Sequence, residues 1–227
     1  MVSGLKEAFT LAEKIVELKK EIVGFAWLVE KMIGKSIKGL VKKDKSILTE
    51  VIEQDEPKAN HLEIEIDELC TNLMAQYAPK GKDLRIILMA LKMNNDFERI
   101  GDHAVNISQS ALFLIERSLV KPLIDLPKMA ETTIQMFNDS IKSFVNEDPE
   151  LAKTVCERDN VVDDLNHKIL VDLIELMSED PSIIENCMNI IRISRNLERV
   201  ADLSTNICED VIYLTKGAII KHHTLPE

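Results

Sequence analysis

The most constraining feature of this chain is that it repeats itself. Asn95-Asp96-Phe97-Glu98-Arg99-Ile100-Gly101-Asp102-His103-Ala104-Val105-Asn106-Ile107 returns one hundred residues later as Arg195-Asn196-Leu197-Glu198-Arg199-Val200-Ala201-Asp202-Leu203-Ser204-Thr205-Asn206-Ile207. Glu-Arg-x-x-Asp-x-x-x-Asn-Ile is common to both. Residues four apart lie one above the other on a helix, so Glu, Asp and Asn form a polar ladder, built twice. Carboxylates at that spacing repel each other modestly, and oxygens gathered this way suit a hard metal ion.

The duplication runs further. Ser36 to Asp44 matches Ser140 to Asp148 at an offset of 104, and Val51 to Asp55 matches Val155 to Asp159 at the same offset. At the ladder the offset is 100, so the second copy lacks four residues, which we place in the connection around Tyr77 to Lys82. Breakers divide each copy into three helices, about 5–39, 45–77 and 83–117, then about 127–146, 149–178 and 181–216. Few Gly, Pro and aromatics, with abundant Leu, Ile, Glu and Lys, agree with helices. The expected fold is all-α: two tandem pseudo-symmetric three-helix bundles, residues 1–120 and 121–227, from an internal duplication.

A net charge of −11 argues against nucleic acid as a partner. The four cysteines have no CxxC pairing and read as buried free thiols in a reducing compartment. Lys6, Glu7 and Glu13 interrupt the stretch a signal peptide would need, and no apolar run could span a bilayer, so a cytoplasmic location is expected. No Gly-rich phosphate loop, nucleophile elbow or HExxH is present, and no enzymatic activity is expected.

On the third helix Ile86, Met93, Phe97, Ile100, Ala104, Ile107, Ala111 and Leu114 share one face, opposite Glu98, Asp102 and Asn106. The sixth repeats this with Glu198, Asp202 and Asn206. Alone, each ladder reads as a solvated face. The second and fifth helices add acids within apolar stripes, Asp55 and Asp159, the latter in Asp159-x-x-x-Asp163. A carboxylate there needs a partner, Arg99 or Arg199 as an ion pair or else a metal. Oxygen ligands without thiolate favour Mg, Mn or Fe(III) over Zn. Ala59 stands where the second copy has Asp163, which leaves the first site poorer in carboxylate. Pro57 should kink the second helix beside Asp55. The histidines do not follow the repeat, and one Asp164-x-x-His167 does not make a ferritin-like di-iron centre. Lys35, Lys38, Lys42, Lys43 and Lys45 form a basic patch absent from the second copy, suited to an acidic partner or an anionic membrane surface.

The doubled ladder, the Asp-x-x-x-Asp of the fifth helix and the tandem layout together resemble the PhoU family, over nearly the whole chain. That resemblance implies a cytoplasmic negative regulator of high-affinity phosphate uptake and of its two-component signalling. The implied partners are the transporter's ATPase subunit and the sensor histidine kinase; a homodimer and, at most, peripheral contact with the membrane are compatible with it. It implies metal, iron above Mn or Mg and multinuclear in some members, on Glu98, Asp102, Asp159, Asp163, Glu198 and Asp202, with Asp55 added. Asn106 and Asn206 would serve as outer-shell hydrogen bonders. The competing reading is a metal-free helical adaptor whose acidic ladders face a partner.

Overall fold

The structure, a computed structural model, describes residues 10–118, 120 and 122–216. The described residues form helices α1 (Leu11–Lys42), α2 (Lys45–Glu50), a π-helical turn (Val51–Asp55), α3 (Glu56–Tyr77), α4 (Gly81–Ile115), α5 (Asp125–Asn146), α6 (Pro149–Glu179) and α7 (Ile184–Lys216), with a single 3-10 turn (Pro181–Ile183) before α7. Helix α2, the π turn and α3 run on as one interrupted rod, so each copy has three long helical segments. Among the described residues there is no strand, as the all-α expectation requires.

Several boundaries differ from the sequence reading for local reasons. Helix α1 starts at Leu11 because Thr10 caps it: Thr10 N donates to Glu13 Oε2 at 2.7 Å and Glu13 N to Thr10 Oγ1 at 3.3 Å. Residues 5–9 of the expected first helix lie outside the described residues. At the other end α1 passes through Gly39 and stops at Lys43, which takes the left-handed conformation (φ 54°). Gly39 serves packing instead. A Cβ there would sit 2.6 Å from Leu48 Cγ and Cδ2. The second copy has Ser143 and Ala152 at these positions, both buried, so a larger residue on one helix goes with a smaller one on the next. Asp44 and Asp148 then cap α2 and α6 alike, each accepting from two backbone N–H groups.

The π turn is where the copies part. It precedes Pro57, which removes a helical donor and so makes a widened turn affordable, in place of the simple kink that proline alone suggests. A π turn absorbs one extra residue and rotates everything after it. Before the turn, Leu48 and Val51 are buried like Ala152 and Val155, an offset of 104; after it, Ala59, Ile66 and Cys70 are buried like Val162, Ile169 and Leu173, an offset of 103. One of the four residues missing from the second copy therefore lies here, and three lie in the connection after α3. Asp55, 3% exposed, ends the π turn and accepts from Lys35 Nζ of α1 at 2.6 Å. In the second copy Asp139 and Arg158 meet at 2.6 Å at the corresponding places, the same pair with its charges exchanged.

The two copies share one core. Phe97 of α4 makes edge-on contacts with Phe25 of α1 (5.5 Å) and Phe137 of α5 (5.7 Å), joining both first helices through a residue of the first copy. Across the α4–α7 seam Lys92 reaches Asp210 at 2.7 Å and His103 Nδ1 pairs with Asn196 Oδ1 at 2.7 Å.

Two stability measurements check this packing. Gly39→Ala should cost about 1–3 kcal/mol in urea unfolding, and much of that loss should disappear in Gly39→Ala/Leu48→Ala when compared with Leu48→Ala alone. Lys35→Met should cost roughly 1–3 kcal/mol, because it leaves Asp55 buried with only the exposed Lys58, 3.6 Å away, as a cation; a neutral result would show that the pair does not hold the π turn.

Candidate metal centre

Over half of the circumference of α4 is buried: Ile100, Ala104 and Ile107 face the bundle while Gly101, Val105 and Ser108 extend the buried arc to one side. Only a narrow strip is left for water, and Glu98, Asp102 and Asn106 occupy it. Helix α7 repeats the arrangement with Glu198, Asp202 and Asn206.

In the second copy Asp163 of α6 joins the strip of α7. Burial raises the Glu198 carboxyl above the ordinary range, Asp202 and Asp163 raise it further, and Arg199 opposes them. Asp163 is raised by burial first, then by Asp202 and Asp164. Arg199 offsets this cluster, with Arg195 adding to it at Glu198; Arg199 Nη1 reaches Asp202 Oδ2 at 2.8 Å and its Nε lies 3.5 Å from Glu198 Oε2. Mutual repulsion among part-buried carboxylates is what a bound cation would relieve.

In the first copy burial raises Glu98, with Asp102 and then Glu63 adding to it. Glu63 was not singled out in the sequence. Its neighbourhood follows the shifted register: Asn94 Nδ2 donates to the Glu63 carbonyl at 2.8 Å, as Ser194 Oγ donates to Asn166 Oδ1 at 2.7 Å in the second copy. With an offset of 103, Asp163 corresponds to Asn60 and Asp159 to Glu56. Ala59 is thus no lost ligand. It is a core residue, 1% exposed, at the place of Val162. The first-copy counterpart of Asp159-x-x-x-Asp163 is Glu56-x-x-x-Asn60, one carboxylate fewer. The phase of the apolar residues after Pro57 carries that signal in the sequence itself.

The ion-pair assignments also change. The partner of Asp55 is Lys35, not Arg99, which lies 3.5 Å from Asp96 on its own helix; Arg199 serves the α7 ladder. Asp159 is half-buried on α6, one turn before Asp163. Asn206 is exposed, and Asn106 lines a cleft between α4 and α7. Of the basic patch, Lys35 is engaged with Glu50 (2.7 Å) and Asp55, and Lys45 lies 3.5 Å from Glu116; Lys38, Lys42 and Lys43 are exposed. Cys70, Cys187 and Cys208 are buried and Cys156 is half-buried.

The donor set is all oxygen, which fits Mg, Mn or Fe(III). Among the described residues, no three or more His, Cys, Asp or Glu side chains converge on one point in a metal-ligating arrangement. The acids form strips along two helices, suited to bridging ions along a surface more than to enclosing one. No helix among the described residues is long and apolar enough to cross a membrane.

Comparison with known proteins places these features in a family. The PhoU domain model matches twice, at residues 22–111 and 126–211, and its bounds carry the same offsets of 104 and 100 as the repeat. The chain is 36% identical over 217 residues to the phosphate-specific transport system accessory protein PhoU homolog of Aquifex aeolicus, covering 96% of this chain and 98% of that one. It is 33% identical to homolog 2 of Thermotoga maritima, covering 93% and 89%. The crystal structure of PhoU from Pseudomonas aeruginosa superposes with a TM-score of 0.88 at 30% identity, covering 92% of this chain and all of that one. The duplicated three-helix architecture, the twice-matched domain and these relatives together establish that the chain belongs to the PhoU family.

Proposed function

We propose that this protein is an accessory regulator of phosphate-specific transport, restraining high-affinity phosphate uptake and its two-component signalling through contacts with the transporter ATPase and the sensor histidine kinase. The relatives carry the first part, since they are named as accessory proteins of the phosphate-specific transport system. The observation that carries the site is the acid strip of Asp163, Glu198 and Asp202, where burial and neighbouring carboxylates raise the proton affinity of Glu198 and Asp163 on a part-exposed surface. In this reading Glu98, Asp102, Asp159, Asp163, Glu198 and Asp202 hold iron, or Mn or Mg, and the second copy is the stronger site because Asp159 and Asp163 stand one turn apart on α6 where α3 has Glu56 and Asn60. Asp55 contributes structure through Lys35. Bound metal would neutralise the strip and change the surface offered to a partner. A second reading, a metal-free adaptor whose acid strips face a basic partner, is favoured by the spread of the carboxylates along the helices.

Elemental analysis of protein purified without chelator separates the two. Iron, manganese or magnesium should be present, and Asp102→Ala/Asp202→Ala should lower affinity at least ~10-fold, about 1.4 kcal/mol, without loss of fold; absence of metal, with no thermal shift on adding it, selects the adaptor. Affinity should also fall as pH drops from 7 toward 5. Raised proton affinity at Glu198 and Asp163 lets protons compete at a higher pH than at ordinary carboxylates, so calorimetry at both pH values reads the effect directly. The partner claim is checked by co-purification with the transporter ATPase at low and high phosphate, where failure at every level counts against it.

A further inference from the structure

The α4–α7 seam carries two clefts related by the duplication, and they have diverged. In one, of about 130 Å³, Lys92 is paired with Asp210 at 2.7 Å beside Met89 and Tyr213. In the other, of about 430 Å³, the same four positions are Arg192, Ser110, Asn189 and Phe113, with Asn106, Gln109 and Asn196 completing the lining. The exchange of Asp210 for Ser110 removes the carboxylate that neutralises the cation. Among the described residues Arg192 makes no ion pair, and the carboxamide of Asn189 replaces the apolar Met89. A second guanidinium stands close by: Arg117 lies 3.5 Å over the Phe113 ring.

We propose that this second cleft binds a small organic oxyanion, phosphate- or carboxylate-bearing, which takes the place the Asp210 carboxylate holds in the first. A guanidinium presents a planar fork of donors matched to either group. The Ser110 hydroxyl and the carboxamides of Asn106 and Gln109 are further hydrogen-bonding groups along the wall. Phe113, stacked on one face by Arg117, supplies apolar lining for the body of the ligand, and the volume suits a small molecule, within the ~300–1,000 Å³ of such sites. In a chain of net charge −11 an anion needs a local cation of this kind. Asn106 also lies on the α4 strip, but Arg192 and Ser110, the residues that the test changes, do not.

The test is calorimetric titration of the full chain with phenyl phosphate, benzoate and inorganic phosphate. The first two distinguish a phosphate from a carboxylate head group, and the third shows whether the aromatic body matters. Arg192→Ala should weaken binding at least tenfold. Ser110→Asp rebuilds the pairing of the first cleft, so it should abolish binding while raising the melting temperature. Asp210→Ser, at the other end of the seam, should leave this site unchanged. Binding by any of the three probes that is lost in both Arg192→Ala and Ser110→Asp supports the proposal. No binding by any probe, or binding that survives in both variants, overturns it.

Discussion

Burial of α4 and α7 on two sides is the constraint from which the rest of the molecule follows. Each completes its own three-helix unit and also packs against its counterpart, so most of its circumference is apolar or small. Gly101 and Ala201 are both buried, and Phe97 ties α1 to α5. What remains outside is a single strip on each helix. Polar ladders occupy both strips because no other part of these helices can carry them, and this puts Glu98, Asp102, Glu198 and Asp202 on the surface with their backs against a rigid core.

The copies keep this plan while differing in charge. Lys35–Asp55 and Asp139–Arg158 occupy equivalent places with opposite polarity, which keeps the neutralised contact between the first and second helical rods and changes the field around it. Lys92–Asp210 has no equivalent at the other end of the seam, where Arg192 faces a cleft lined with amides. The acids beside the two strips are placed differently, Asp159 and Asp163 on α6 against Glu56 and Glu63 on α3. Duplication fixed the packing, and later substitutions at positions that packing does not constrain made the two halves chemically unlike.

Much of this could be read from the chain before its structure. The repeat, the three helices per copy and the apolar faces of α4 and α7 follow from period 3.6 and from identity between copies. The ladder residues fell where that period put them. What escaped was the register past Pro57. Identity of Val51 to Asp55 with Val155 to Asp159 suggested an unbroken offset, and it hid a one-residue π turn that only the phase of Ala59, Ile66 and Cys70 betrays. Asp55 reads from its apolar stripe as an acid needing a partner; Lys35, on a different helix, is distinguished from Arg99 only by how α1 packs. The first helix, expected to end at 39, runs on to Lys42, because Gly39 serves a close approach to Leu48, which is a tertiary fact.

The central claim is that a hard cation binds the acid strip of α6 and α7. Anomalous scattering from crystals grown with Mn(II) or Fe(III), collected on both sides of the metal edge, tests it most directly. The account predicts a peak beside Asp163, Glu198 and Asp202, with a weaker one or none beside Glu98 and Asp102. No peak on either strip, or a peak only at an unrelated surface, would contradict it.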